Sequence, residues 1–277
     1  MSLQFVFASE YNFSMTDDQT AIDYERDEVI INELTSGLQF QQISTKNYND
    51  QELVSFLASK IEPLFKDQTI IVTLTGGPGS GKTTLMGQLI ERIREDHHPA
   101  DFIITDDFSL YDRKKRNEIL RETKDPLKVK EFNLLNKIVN DVKFGRESIA
   151  PVYDDLTGDA VEVGPDNFPH KIAAGLHFFF VEGDFQPVKA VDFKIYYHVP
   201  TNVRRENRIR RDLQTRGWNN SEEVIKSFNE RLELQYYPYT IKTASDASVL
   251  ITTEATKNES NTDQPVIYQY SVYEKVN

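Results

Sequence analysis

"TLTGGPGSGKTT", Thr73 to Thr84, decides how this chain is read. Within it, Gly76-Gly77-Pro78-Gly79-Ser80-Gly81-Lys82-Thr83 fits the pattern G-x-x-x-x-G-K-[ST]. The stretch "TIIVTLT" (Thr69–Thr75) is short, apolar and β-branched, which predicts a buried strand. "TTLMGQLIERIRE" after the glycines predicts a helix. Strand, loop and helix in that order favour an anion cradle over a plain turn. Glycines let successive backbone N–H groups turn inward on phosphates. The helix N-terminus adds a partial positive charge. The residues expected around the phosphates are Gly77, Pro78, Gly79, Ser80, Gly81, Lys82, Thr83 and Thr84. Lys82 is expected at the β- and γ-phosphates, and the Thr83 hydroxyl on Mg²⁺. The implied ligand is a nucleoside triphosphate with Mg²⁺, taken as ATP.

Outward from the loop, apolar strand patterns alternate with helical ones. "DFIITDDF", "GLHFFFVEGDF", "FKIYYHVP" and "ASVLITT" read as strands. "DQELVSFLASKIEPLF", capped by Asn49 or Asp50, reads as a helix, and so does "DPLKVKEFNLLNKIVNDVKFG". Residues 202–216 and 221–236 are also helical in pattern. This alternation predicts an α/β, P-loop NTPase fold, a mostly parallel sheet with helices on both faces. Residues 69–253 form the expected central domain. Residues 1–68 are an N-terminal addition in which no motif is found. Residues 254–277 read as a linker and a C-terminal, antiparallel strand.

The chain has 277 residues, 39% hydrophobic and 27% charged, as ordinary globular proteins do. No run approaches the roughly 18 apolar residues of a membrane helix. The start lacks a basic region and carries Glu10, against a secretory signal. Cysteine is absent, which excludes disulfides and thiolate metal sites and fits a cytoplasmic protein. The net charge of −12 argues against general nucleic-acid binding, which needs surplus Lys and Arg. Histidines show no zinc-ligand spacing. The sequence leaves open whether copies form a homo-oligomer.

Ligands of open α/β sheets bind beyond the carboxyl ends of the strands. Two such ends carry acids, Asp106-Asp107-Phe108 and Glu182-Gly183-Asp184. The apolar "HFFFV" before Glu182 suits a metal-side carboxylate, which leaves Asp106 for an acceptor hydroxyl, as general base or orienting group. In "TNVRRENRIRRDLQTRGW", Arg204, Arg208 and Arg211 recur at steps of four and three, so they share a helix face, with Arg216 just beyond. Such a row can neutralise charge that develops during phosphoryl transfer. Tyr153 and Asp154 are candidates for acceptor contact, or a proline turn with a capping acid. Arg113 opens "RKKR", which fits an acidic acceptor or a solvated helix start. Trp218 suits either anchoring of the arginine loop or plain packing.

Together these residues resemble the uridine kinase / phosphoribulokinase family of P-loop kinases, from about Ile70 to Thr252. "GGPGSGKTT" resembles the family's phosphate loop, and "TDDF" its acidic motif, whose leading Asp, here Asp106, is implied as catalytic base. "DPLKVKEFNLLNKIVNDVKFGRESIAPVYD" is similar to the segment leading to a Pro-x-Tyr-Asp motif beside the acceptor. "FVEGDF" resembles the Glu-Gly step after the next strand, and "YYPYTIKTASDASVLI" the closing motif. "RRENRIRRDLQTRG" resembles the lid helix: Arg208, Arg211, Asp212, Arg216 and Gly217 match, and Asn207 replaces an arginine. Gly158 and Ala160 stand where uridine kinases carry residues near the nucleoside, and Lys124 where an acid is usual. Donor-side residues are thus kept while acceptor-side residues differ. The resemblance implies transfer of the γ-phosphate of ATP to a hydroxyl of a small molecule: a nucleoside, a sugar or a sugar acid. A second reading, an ATP-binding regulator without metabolite kinase activity, stays open. A motor-type ATPase is disfavoured, because no repeat or coiled-coil lever is present.

Overall fold

The computed structural model describes residues 17–36, 40–43, 48–153, 160–161, 170–184, 187–256 and 267–275. In chain order they form α1 (Asp17–Ser36), β1 (Phe40–Gln42), α2 (Asp50–Ile61), β2 (Ile70–Gly76), α3 (Lys82–Glu95), β3 (Ala100–Ile104), α4 (Arg113–Thr123) and α5 (Phe132–Lys143). Then come β4 (Ser148–Ala150), β5 (Val152–Tyr153), β6 (Ala160–Val161), β7 (His170–Ile172), β8 (Phe178–Gly183), β9 (Phe193–His198), α6 (Thr201–Thr215), α7 (Ser221–Arg231), α8 (Tyr237–Ser245), β10 (Val249–Thr256) and β11 (Ile267–Lys275). Among the described residues no helix is long and apolar enough to cross a membrane.

Seven strands form one sheet in the order β1-β11-β10-β9-β2-β8-β3. Five neighbours, β10 to β3, run parallel. β11 is antiparallel to β10, as expected of the last strand, and β1 adds to β11 in turn. The side chains of β2 alternate between two faces. Val72 and Leu74, with Phe180, Ile195 and Ile251, pack under α2 and α3. Ile71, with Phe179 and Val181, packs under α5 through Leu135 and Val139. Tyr196 and Leu250 meet α1 and α8 through Ile30 and Ala244. Both faces are therefore covered, which is why "TIIVTLT" reads as an unbroken apolar run. Each such side chain contributes about 1.5–3 kcal/mol relative to exposure.

Local chemistry fixes the element ends. Asn49 rather than Asp50 caps α2: its side chain accepts from the Glu52 N–H at 3.0 Å, while Glu52 Oε2 accepts from the Asn49 N–H at 3.1 Å. The segment expected as one helix from Asp125 is broken. A 3-10 turn covers Pro126–Val129, and α5 starts only at Phe132. Between them Lys130 is extended, and the Glu131 N–H donates to the Phe108 carbonyl at 2.7 Å. The helix expected over 221–236 stops at Arg231, passes through a π turn at Leu232–Tyr236 and restarts as α8. His177, expected in a strand, lies just before β8 with its ring stacked on Phe65 at 3.9 Å. His198 is in β9 and fully buried.

Helix α1 has no counterpart in the sequence reading. It packs on α6 and α8. The N-cap of α6 is Pro200, whose side chain has no hydrogen-bond acceptor. Asp27 of α1 takes that role from a distance. Its carboxylate accepts from the Thr201 N–H at 2.5 Å and from Thr201 Oγ1 at 2.9 Å. Asp23, one turn earlier, forms a buried ion pair with Arg205.

Candidate functional site

The phosphate loop joins β2 to α3 at the carboxyl edge of the sheet. A cleft of about 660 Å³ opens there, lined by Pro78 through Thr84. The acids at the ends of β3 and β8, Arg210 and Arg211 of α6, and Arg216 just beyond it face the cleft. Lys82 is buried and donates through Nζ to the Gly77 carbonyl at 2.9 Å. Ser80 Oγ is buried without a hydrogen-bond partner inside the loop. A buried hydroxyl left open is costly unless a ligand takes it, so the loop is chemically incomplete by itself.

Three carboxylates crowd this edge. Glu182 Oε2 accepts from Thr83 Oγ1 at 2.9 Å, and Lys82 Nζ lies 3.6 Å from Glu182 Oε1 and 3.2 Å from Asp184 Oδ1. Burial raises the Glu182 pKa, and the neighbouring charges of Asp106 and Asp184 add to this against Lys82. A buried carboxylate short of positive charge, paired with a hydroxyl, is a donor set suited to a hard divalent cation that takes its other ligands from phosphates and water. Asp106 differs. Burial works to raise its pKa, but Lys130, 2.6 Å away, and Arg231, 3.6 Å away, outweigh that and hold it well below the usual carboxylate range. Asp184 is also held low: burial opposes, while Arg231 at 2.9 Å and Lys82 prevail.

The four arginines expected to act together are separated by the structure. Arg211 and Arg216 line the cleft. Arg208 does not; it faces a second cavity and binds Asp212 at 3.0 Å. Arg204 departs from the expectation altogether. It is 0% exposed, lies behind the phosphate loop, and donates to the Val199 carbonyl at 2.8 Å and to Thr201 Oγ1 at 2.7 Å. Its guanidinium stacks on Tyr236, 4.4 Å from the ring centroid. The reason is close helix approach. A Cβ on Gly77 would fall 2.1 Å from Arg204 Nη1, and one on Gly79, whose φ is +80°, would fall 2.3 Å from the Arg204 carbonyl oxygen. These two glycines therefore seat α6 as well as shaping the loop.

The second cavity lies between α4, α6 and α7. It shares Asp106, Tyr153, Arg216 and Arg231 with the first cleft, so the two meet at Asp106. Arg116 donates to the Tyr153 hydroxyl and stacks on its ring at 5.1 Å. The Tyr153 N–H donates to Asp107 Oδ1 at 3.1 Å. Arg113 stacks on Trp218 at 5.5 Å, and both line the cavity. Asp154, the other expected acceptor contact, lies outside the described residues.

A family model described as the phosphoribulokinase / uridine kinase family matches residues 70–260. The chain belongs to this family. This makes it a kinase, a phosphotransferase with an alcohol group as acceptor. It is 28% identical over 187 residues to a uridine kinase of Borrelia turicatae (strain 91E135), covering 65% of this chain and 85% of that one. It is 26% identical over 203 residues to the chloroplastic phosphoribulokinase of Chlamydomonas reinhardtii, covering 67% of this chain and 52% of that one. In fold it is similar to D-glycerate 3-kinase from Cryptococcus neoformans, with a TM-score of 0.55 at 12% identity over 80% of this chain and 98% of that one.

Two charged residues of the candidate site, Lys130 and Arg231, escaped sequence reading, and a third, Asp184, was named there without a role. Lys130 and Arg231 hold Asp106 and Asp184, and Asp184 itself holds Lys82. Asp184 was visible as the second acid after β8. Lys130 and Arg231 carried no signal: Lys130 is extended between a 3-10 turn and α5, and Arg231 ends α7, which only packing brings to the site.

Proposed function

We propose that this kinase moves the γ-phosphate of ATP to a hydroxyl of a small metabolite. The observation that carries the reading is the junction of the two cavities at Asp106, which gives the carboxylate access to both a donor and an acceptor. The acceptor oxygen forms a bond to the γ-phosphorus as the bond to the β–γ bridging oxygen breaks, and ADP leaves with that electron pair. Asp106 accepts the hydrogen bond of the attacking hydroxyl and aims its oxygen. Lys130 and Arg231 favour Asp106 as a carboxylate, so it first orients the hydroxyl and takes up its proton as the new bond to phosphorus makes that proton acidic. This suits a loose transition state, in which the nucleophile needs little activation. The loop backbone and Lys82 bind the donor phosphates, and Arg211 and Arg216 close over them. The Thr83 hydroxyl and the Glu182 carboxylate are the residues that hold Mg²⁺, which supplies charge neutralisation at the phosphates when bound. Residues 69–253 carry this machinery, and residues 1–68 brace it through α1.

Asp106→Asn keeps the shape and removes the acceptor charge. Transfer to the metabolite falls by about 10²-fold or more, while ATP binding, read by calorimetry, is retained. Full transfer activity in this variant overturns the assignment.

A further inference from the structure

Resting on the kinase reading above, we propose that the phosphate acceptor carries an oxyanion, a carboxylate or a phosphate monoester, held by Arg116 and Arg208 in the cavity beyond Asp106. The first observation is charge. In a chain of net charge −12, this cavity is lined by six cationic side chains, Arg113, Arg116, Lys130, Arg208, Arg216 and Arg231, against three carboxylates. Those carboxylates already have partners. Asp106 is held by Lys130 at 2.6 Å. Asp212 accepts from Arg208 Nε at 3.0 Å and Arg211 Nε at 2.9 Å. Glu230 is taken by Arg121, which is not part of the lining.

The second observation is Arg208 itself. It is 5% exposed, and its Nη1 is buried with no hydrogen-bond partner. Burial, and next the charge of Arg231, push its pKa down to about 10. A buried guanidinium with an open donor beside a second guanidinium is a place prepared for an anion.

The third observation separates this site from the triphosphate. Arg113, Arg116 and Arg208 line the second cavity and not the phosphate-loop cleft. Their charge is therefore not spent on the donor. Arg116 is also held in place: its Nη1 donates to the Tyr111 carbonyl at 2.5 Å, and its plane stacks on Tyr153. A guanidinium fixed in this way adds a positive charge beside Arg208, which favours an anion there. Arg113 stands over one face of the Trp218 ring, 5.5 Å from its centroid, and adds a further cation beside it.

The test uses the full chain saturated with Mg²⁺ and β,γ-methylene ATP, so that the phosphate loop is filled first. D-glycerate and D-gluconate form the carboxylate arm. Ribose 5-phosphate and fructose 6-phosphate form the phosphate arm. Glycerol, sorbitol, ribose, fructose and uridine are the neutral set. A compound of one anionic arm raises the melting temperature more than every neutral compound at equal concentration, and the arm that responds names the anion. Arg116→Gln weakens that compound on the order of 10- to 100-fold, Arg116→Lys restores part of the loss, and both variants keep the shift given by the nucleotide alone. A larger shift with uridine or any neutral compound overturns the proposal, and so does the absence of a shift with every anionic compound. Turnover with ATP is read separately. An anionic compound that shifts the melting temperature while no compound of any arm is phosphorylated leaves the anion site standing and counts against the transfer reading.

Discussion

His198 makes this protein acid-sensitive by a calculable amount. It sits at the end of β9, fully buried, with neither ring nitrogen in a hydrogen bond and Asp27 Oδ1 no nearer than 3.9 Å. Burial, and then the charge of Arg204, push its pKa from 6.5 to about 3. The folded state therefore keeps a neutral imidazole while the unfolded chain takes up a proton as pH falls below 6.5. Stability from this group is complete above that value and is lost progressively as pH drops toward the folded pKa. With unfolded and folded values of 6.5 and about 3, the loss between about pH 7.5 and about pH 5 is about 2 kcal/mol. His198→Phe replaces the ring with one that cannot titrate in a site that makes no hydrogen bond. The assay is urea unfolding of both proteins at the two pH values. Other groups titrate alike in each, so the variant loses about 2 kcal/mol less than the wild type on acidification. An equal loss in both refutes a buried neutral His198, as does an imidazole resonance that titrates near 6.5 in the folded protein.

Gly79→Ala puts a Cβ 2.3 Å from the Arg204 carbonyl, at a φ of +80°. The left-handed conformation alone costs about 1–2 kcal/mol, and the backbone oxygen it meets can yield only if α6 withdraws. Thermal unfolding detects the loss, and kcat falls on the order of 10²-fold from a displacement of about 1 Å; unchanged kcat and Tm refute the seating of α6 on the loop. Asp27→Ala removes the distant cap of α6 and lowers stability by about 1–2 kcal/mol in urea unfolding, and a wild-type midpoint refutes the cap.

Much of the fold was legible because its signals are local. A buried strand must be apolar, a phosphate loop must have glycines where backbone approaches backbone, and a helix start shows its cap. A cap at Asn49 or Asp50, the glycine loop and the antiparallel last strand were therefore readable in advance. Asp106 and Glu182 were found because strand ends point to one edge of the sheet. The break before α5 was hidden, since Lys130 leaves the helical path only to reach Asp106. Helix α1 was hidden for the opposite reason to a core helix: it buries the acids Asp23 and Asp27 against α6.

The sequence by itself determined the α/β class, the phosphate loop, the strand-end acids and the kinase family, because each depends on residues near one another along the chain. Only the tertiary structure decided where each arginine of α6 stands. Helical spacing on α6, in steps of four and three, made Arg204, Arg208 and Arg211 look equivalent. The close approach of that helix to Gly77 and Gly79 buries the first, while the second turns to the cavity between α4, α6 and α7 and the third lines the phosphate-loop cleft. Helical periodicity fixes which residues share a face, and only packing fixes what that face meets.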